Sequence, residues 1–135
     1  MIEEAFDDQL QRLQFHLSFY TTRQATLTYD VKRLEKACFR RNDHRCVSEH
    51  DRYLLRSAEL ARGRFAAQKQ LEDTCRSQRD WTRMVLEPED TAMTMDMWLS
   101  LHPDCARPYV EKYVGLMKEE VKILEEARKN LTKVN

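Results

Sequence analysis

Residues 6–38 read FDDQLQRLQFHLSFYTTRQATLTYDVKRLEKAC. Within them Phe6, Leu10, Leu13, Leu17, Tyr20, Gln24, Leu27, Val31, Leu34 and Cys38 follow one another at alternating steps of four and three. That is a heptad seam, polar only at Gln24, and it belongs to a helix that lies lengthwise against another helix. A strand, whose side chains alternate with period two, cannot keep these residues on one face. The spacing predicts a first helix over about residues 3–41. Glu3, Glu4, Asp7 and Asp8 stand at its start and Lys32, Arg33, Lys36, Arg40 and Arg41 toward its end, the order that the helix macrodipole favours.

The rest of the chain continues the pattern. Two Gly and three Pro in 135 residues are too few turn formers for a β-rich fold. Residues 42–47 read as a hairpin loop, and Ser48 as the N-cap of a second helix reaching about residue 86, before Pro88. Its apolar stripe begins as Leu54, Ala58, Ala61 and Phe65 and hands over near Gly63 to Leu60, Ala67, Leu71, Cys75, Trp81 and Val85. Residues 87–104 form a connector, in which Met93, Met97, Trp98 and Leu101 share one face of a short helix near 92–101. A third long helix, over about 105–132, carries Val110, Val114, Met117, Val121, Leu124, Arg128 and Leu131, with Tyr109, Tyr113, Leu116, Ile123 and Ala127 beside them. So broad an apolar face suits a helix packed on two others.

The fold class that follows is all-α: one elongated domain over 1–135, an antiparallel hairpin closed by the third long helix into a three-helix coiled-coil-like bundle. The third helix should run roughly parallel to the first. Folding the first two helices about residue 45 sets Tyr20 against Leu71, Leu27 against Gly63 and Leu10 near Trp81. It also brings Gln24 beside Gln68, where a hydrogen bond would set the register.

Composition narrows the function. Lys and Arg total 23, as do Asp and Glu, so no global field draws the chain to nucleic acid or anionic lipid. No run approaches the roughly 18 apolar residues of a membrane span. The opening MIEEAFDD lacks the apolar core of a signal peptide and the Arg-rich, acid-poor look of a transit peptide. Cys38, Cys46, Cys75 and Cys105 show no CxxC and read as reduced thiols, which places the chain inside the cell. The cytoplasm is the expected location, with cytoskeletal or ciliary structures and organelles as alternatives. There is no Gly-rich phosphate loop, nucleophile elbow or HExxH, and the pairs Glu119/Glu120 and Glu125/Glu126 read as solvated helix surface. The chain is expected to have no catalytic residues and no cofactor.

Three constellations remain. Phe15, Phe19, Thr22, Thr26 and Tyr29 form a second stripe on the back of the first helix, about 160° from the seam at 100° per residue. One partner cannot cover both faces, so Phe15, Phe19 and Tyr29 are candidate anchors for a protein partner unless another part of the bundle covers them. Lys36, Arg40, Arg41, Arg45, Arg52 and Arg56 make a basic hairpin tip that could dock on an acidic polymer such as a tubulin tail, RNA or anionic lipid. Charge is graded along the chain, with a net −3 over residues 1–22, +6 over 23–83 and −3 over 84–135. Cys38, His44, Cys46 and His50 are the right residue types for tetrahedral zinc, although the seam already claims Cys38. The reading that follows is a non-enzymatic scaffold or interaction subunit of a larger assembly, in a hetero-complex or a homo-oligomer. A polyanion-binding adaptor is the alternative, and a small zinc protein comes third.

Overall fold

A computed structural model describes the backbone of residues 2–78 and 94–135, and the side chains of residues 8–76 and 94–135. Four helices make up these residues: α1 (Ile2–Arg40), α2 (His44–Gln78), α3 (Met95–Leu101) and α4 (Pro103–Val134). The fold is the all-α bundle the heptads predict. Trp81, Val85 and the predicted end of the second helix at residue 86 lie outside the described residues, as does the Phe6 side chain.

The element boundaries differ from expectation where local chemistry outweighs the sequence signal. α2 starts at His44, four residues before Ser48. Asp43 opens it, because its Oδ1 accepts the Arg45 amide at 3.0 Å and its carboxylate also holds the Arg45 guanidinium at 2.8 Å. Asn42 turns the chain between α1 and α2 with φ of 55°, a left-handed conformation that Asn tolerates better than most residues. α3 is capped by Thr94, whose hydroxyl accepts the Met97 amide. α4 begins at Pro103, where proline loses no intrahelical bond, and it continues through Pro108.

α4 is the axis of the molecule. α1 and α2 pack chiefly on it rather than on each other. Val110, Val114, Met117, Val121, Leu124, Ala127 and Leu131 are all buried, as expected of a helix that packs on two others. One core cluster joins Leu13 and Leu17 of α1 to Leu71 and Cys75 of α2, Trp98 and Leu99 of α3 and Ala106 and Val110 of α4. The other joins Leu27, Val31 and Cys38 to Cys46, Tyr53, Val121, Leu124 and Leu131. The start of α4 therefore lies with the start of α1 and the two run parallel, with α2 antiparallel to both. Tyr20 packs against both core clusters, one of which contains Leu71. Gln24 does not meet Gln68. It donates to Glu120 of the intervening α4 at 3.1 Å, and Gln68 bonds Glu72 on its own helix. At Gly63 a side chain would meet Leu116 of α4 at 3.1 Å, so glycine there admits the close approach of α2 to α4.

The cysteines correct a second expectation. None is free among the described residues. Cys38 is bonded to Cys46 across the tip, with Cα atoms 6.0 Å apart, and Cys75 to Cys105 at the other end, with Cα atoms 5.8 Å apart. The seam that points Cys38 inward also brings it to the first turn of α2. With all four sulfurs paired, cysteine chemistry gives no reason to place the chain in a reducing compartment, since such bonds persist in oxidising ones. No helix among the described residues is long and apolar enough to cross a membrane.

Candidate interaction surface

The second stripe of α1 lies on its outer face, turned away from α4. Relative exposure is 64% for Phe15, 49% for Phe19 and 69% for Tyr29. Neither α3 nor α4 covers them. Phe15 and Phe19 stack one turn apart, with ring centroids 6.0 Å apart and planes 22° off parallel, while Phe19 meets Tyr20 edge-on at 5.1 Å. Thr26 donates its hydroxyl to the Thr22 carbonyl at 3.0 Å, one turn back on the same helix. Phe15, Ser18, Phe19 and Thr22 border a shallow depression of about 400 Å³ at the centre of the stripe. A larger open cleft of about 920 Å³ begins at Phe15 and passes Leu17 and Thr21 toward Met95 of α3 and Tyr113 of α4. Exposed aromatic rings in one row exceed the scattered apolar residues of an ordinary surface.

The six cations of the tip are drawn apart by their local partners. Arg41 reaches the C-terminal end of α4, donating to the Asn135 side chain and the Val134 carbonyl. Arg45 pairs with Asp43, Arg52 with Glu49 and Glu126, and Arg56 with Glu59 and Glu119. The Arg45 hydrogen bonds hold the Asp43 carboxyl down at about 2. Burial alone would raise Glu49, but hydrogen bonds from Arg52 and Asn130 outweigh it and lower that carboxyl. Among the described residues Lys36 and Arg40 make no ion pair, and both are exposed.

The zinc candidates do not form a metal set. The Cys38 and Cys46 sulfurs are bonded to each other and cannot act as thiolates. His50 Nδ1 is engaged by Glu35, and His44 is exposed on the first turn of α2. Among the described residues no group of His, Cys, Asp and Glu has the proximity to hold a metal ion.

Two buried polar clusters were not legible beforehand. Glu35, 5% exposed, sits under the tip and receives the Tyr53 hydroxyl and the His50 ring. Burial, together with the hydrogen bond to Glu35, pushes the Tyr53 hydroxyl well above its usual range. Midway along the bundle Glu120, 3% exposed, accepts from Gln24 and meets the half-buried Arg64 at 2.9 Å, in an ion contact rather than an aligned hydrogen bond. Glu119 is exposed, as the surface reading of that pair requires, but Glu120 is core. The available signal was that Glu120 adjoins Met117, Val121 and Leu124 on one helical face.

No protein-family model, curated protein or solved structure matches this chain.

Proposed function

We propose that this protein is a non-enzymatic interaction subunit, a stiff helical rod whose outer α1 face docks on a protein partner. The supporting observation is the exposed row of Phe15, Phe19 and Tyr29 on a helix whose opposite face is fully used in the core. Aromatic anchors on a rigid helix give large contact area for little lost side-chain freedom, the pattern of interface hot spots. The polyanion-binding alternative has less in its favour, because four of the six tip cations are held by partners within the chain.

The test is the paired substitution Phe15→Glu with Phe19→Glu, made in the full chain and compared with wild type by tagged co-purification from cells that express it. Wild type should retain a stoichiometric protein, either another chain or a differently tagged copy of itself. The variant should lose it while melting within about 3 °C of wild type. A variant that unfolds, or that keeps the same companion, overturns the reading.

A further inference from the structure

The outer face of α1 is self-complementary about its middle. Thr22 is the centre. Seven residues to either side stand Phe15 and Tyr29, eleven to either side Gln11 and Arg33, and fourteen to either side Asp8 and Lys36. Ser18 and Thr26 lie four residues out. The row 8, 11, 15, 18, 22, 26, 29, 33, 36 advances in steps of three and four and reads the same from both ends, so all nine share one side of the helix. Ser18, Thr22 and Thr26 are small, and all nine are exposed.

We infer that this face is an isologous interface at which a second copy of the chain binds, α1 against α1 in antiparallel register about Thr22. The inference rests on reading the stripe as an interaction surface and names its occupant. A two-fold axis at Thr22 lays Phe15 of each copy against Tyr29 of the other. The small central residues let the two backbones approach, and the depression beside Thr22 receives the facing helix. The same axis sets Asp8 against Lys36 at both ends. Within one chain these charges are about 42 Å apart at 1.5 Å per residue, too far to neutralise each other. Lys36 has no ion partner among the described residues, and Asp8 has only the exposed contact to Arg12, one turn away. The acidic start and basic end of α1 thus match their own inverse. A parallel pair would set Asp8 against Asp8 and Lys36 against Lys36, and the antiparallel macrodipoles add to the preference.

Light scattering on the full chain over a range of about 1–500 µM tests this. Wild type should pass from the 16.2 kDa monomer to twice that mass, with a dissociation constant that rises with salt. Phe15→Glu with Phe19→Glu should raise that constant at least about thirtyfold, as loss of a hot spot does. Leu55→Glu, an equal insult to an exposed residue of α2, should leave it unchanged. The orientation is read from the single charge reversals, which weaken only an antiparallel pair, because a parallel pair already sets like charges together at both ends. Asp8→Lys alone and Lys36→Asp alone should each dimerise about tenfold more weakly than wild type. Mixed in equal amounts, they should form a heterodimer, because each introduced charge then faces its opposite. Circular dichroism on every variant confirms that it is folded. A wild type that stays monomeric throughout, single reversals that dimerise as tightly as wild type, or a mixture no tighter than its components, overturns the inference. The wider interaction reading would still be judged by the co-purification experiment, where a different protein lost from the stripe variant would sustain it.

Discussion

Tyr53 carries the clearest consequence at the scale of single residues. Its hydroxyl occupies a buried carboxylate oxygen of Glu35, so Tyr53→Phe leaves that oxygen without its donor and should cost about 1–3 kcal/mol by urea unfolding at pH 7. The linkage has a definite sign. Folding raises the Tyr53 pKa, so above pH 10 the unfolded chain sheds the proton first and the native state loses stability as pH rises. Between pH 9 and pH 11 wild type should therefore lose more stability than Tyr53→Phe. Equal slopes would place the hydroxyl in water. Asp43 behaves in the opposite sense, since its depressed pKa stabilises the tip above the ordinary Asp range and that contribution disappears as pH falls through about 2. Carboxyl chemical shifts should titrate near that value in wild type and return toward 3.8 in Arg45→Ala. Glu120 is tied to Arg64 and Gln24, so Glu120→Gln strands a half-buried guanidinium and should cost about 3 kcal/mol in thermal unfolding. The double change Glu120→Leu with Arg64→Met should recover most of it.

Between elements, the two disulfides close chain spans of very different length. Cys38–Cys46 spans eight residues of the tip and Cys75–Cys105 spans thirty, from α2 to the start of α4. In the loop-entropy account the longer closure stabilises by about 3–4 kcal/mol and the shorter by about 1 kcal/mol less. Non-reducing mass spectrometry should find both bonds. Cys75→Ser with Cys105→Ser should lower the urea midpoint further than Cys38→Ser with Cys46→Ser, and equal losses would show that loop length does not govern the effect. The hairpin of α1 and α2 was legible in the heptads, but its interior was not. Gln24 meets Glu120 instead of Gln68 because α4 inserts between the helices that the folded register sets face to face.

The molecule as a whole is a rod with α4 inside and α1 and α2 as its flanks. That arrangement explains why α1 bears two stripes: α4 consumes the first, and among the described residues no helix packs over the second. The dimer inferred above would cover it with a symmetric copy. Loss of the stripe should accordingly act on association and leave folding intact. Phe15→Glu with Phe19→Glu is expected to change monomer stability by less than about 0.5 kcal/mol, since exposed substitutions rarely do more.

Taken alone, the sequence determined that the fold is all-α, where α1 and α4 run and which residues of α1 turn inward, because heptad spacing is a local property that backbone geometry converts directly into a face. It also singled out Phe15, Phe19 and Tyr29 as a second face, without saying whether that face was covered. Only the tertiary structure decided that α4 is the central helix, that Glu35 and Glu120 are buried, that the cysteines pair and that the aromatic row stays exposed. These outcomes depend on which helix lies against which. Several packings of three amphipathic helices bury similar apolar area, so the choice among them falls to contacts distant in sequence, such as Gln24 with Glu120, Tyr53 with Glu35 and Cys75 with Cys105.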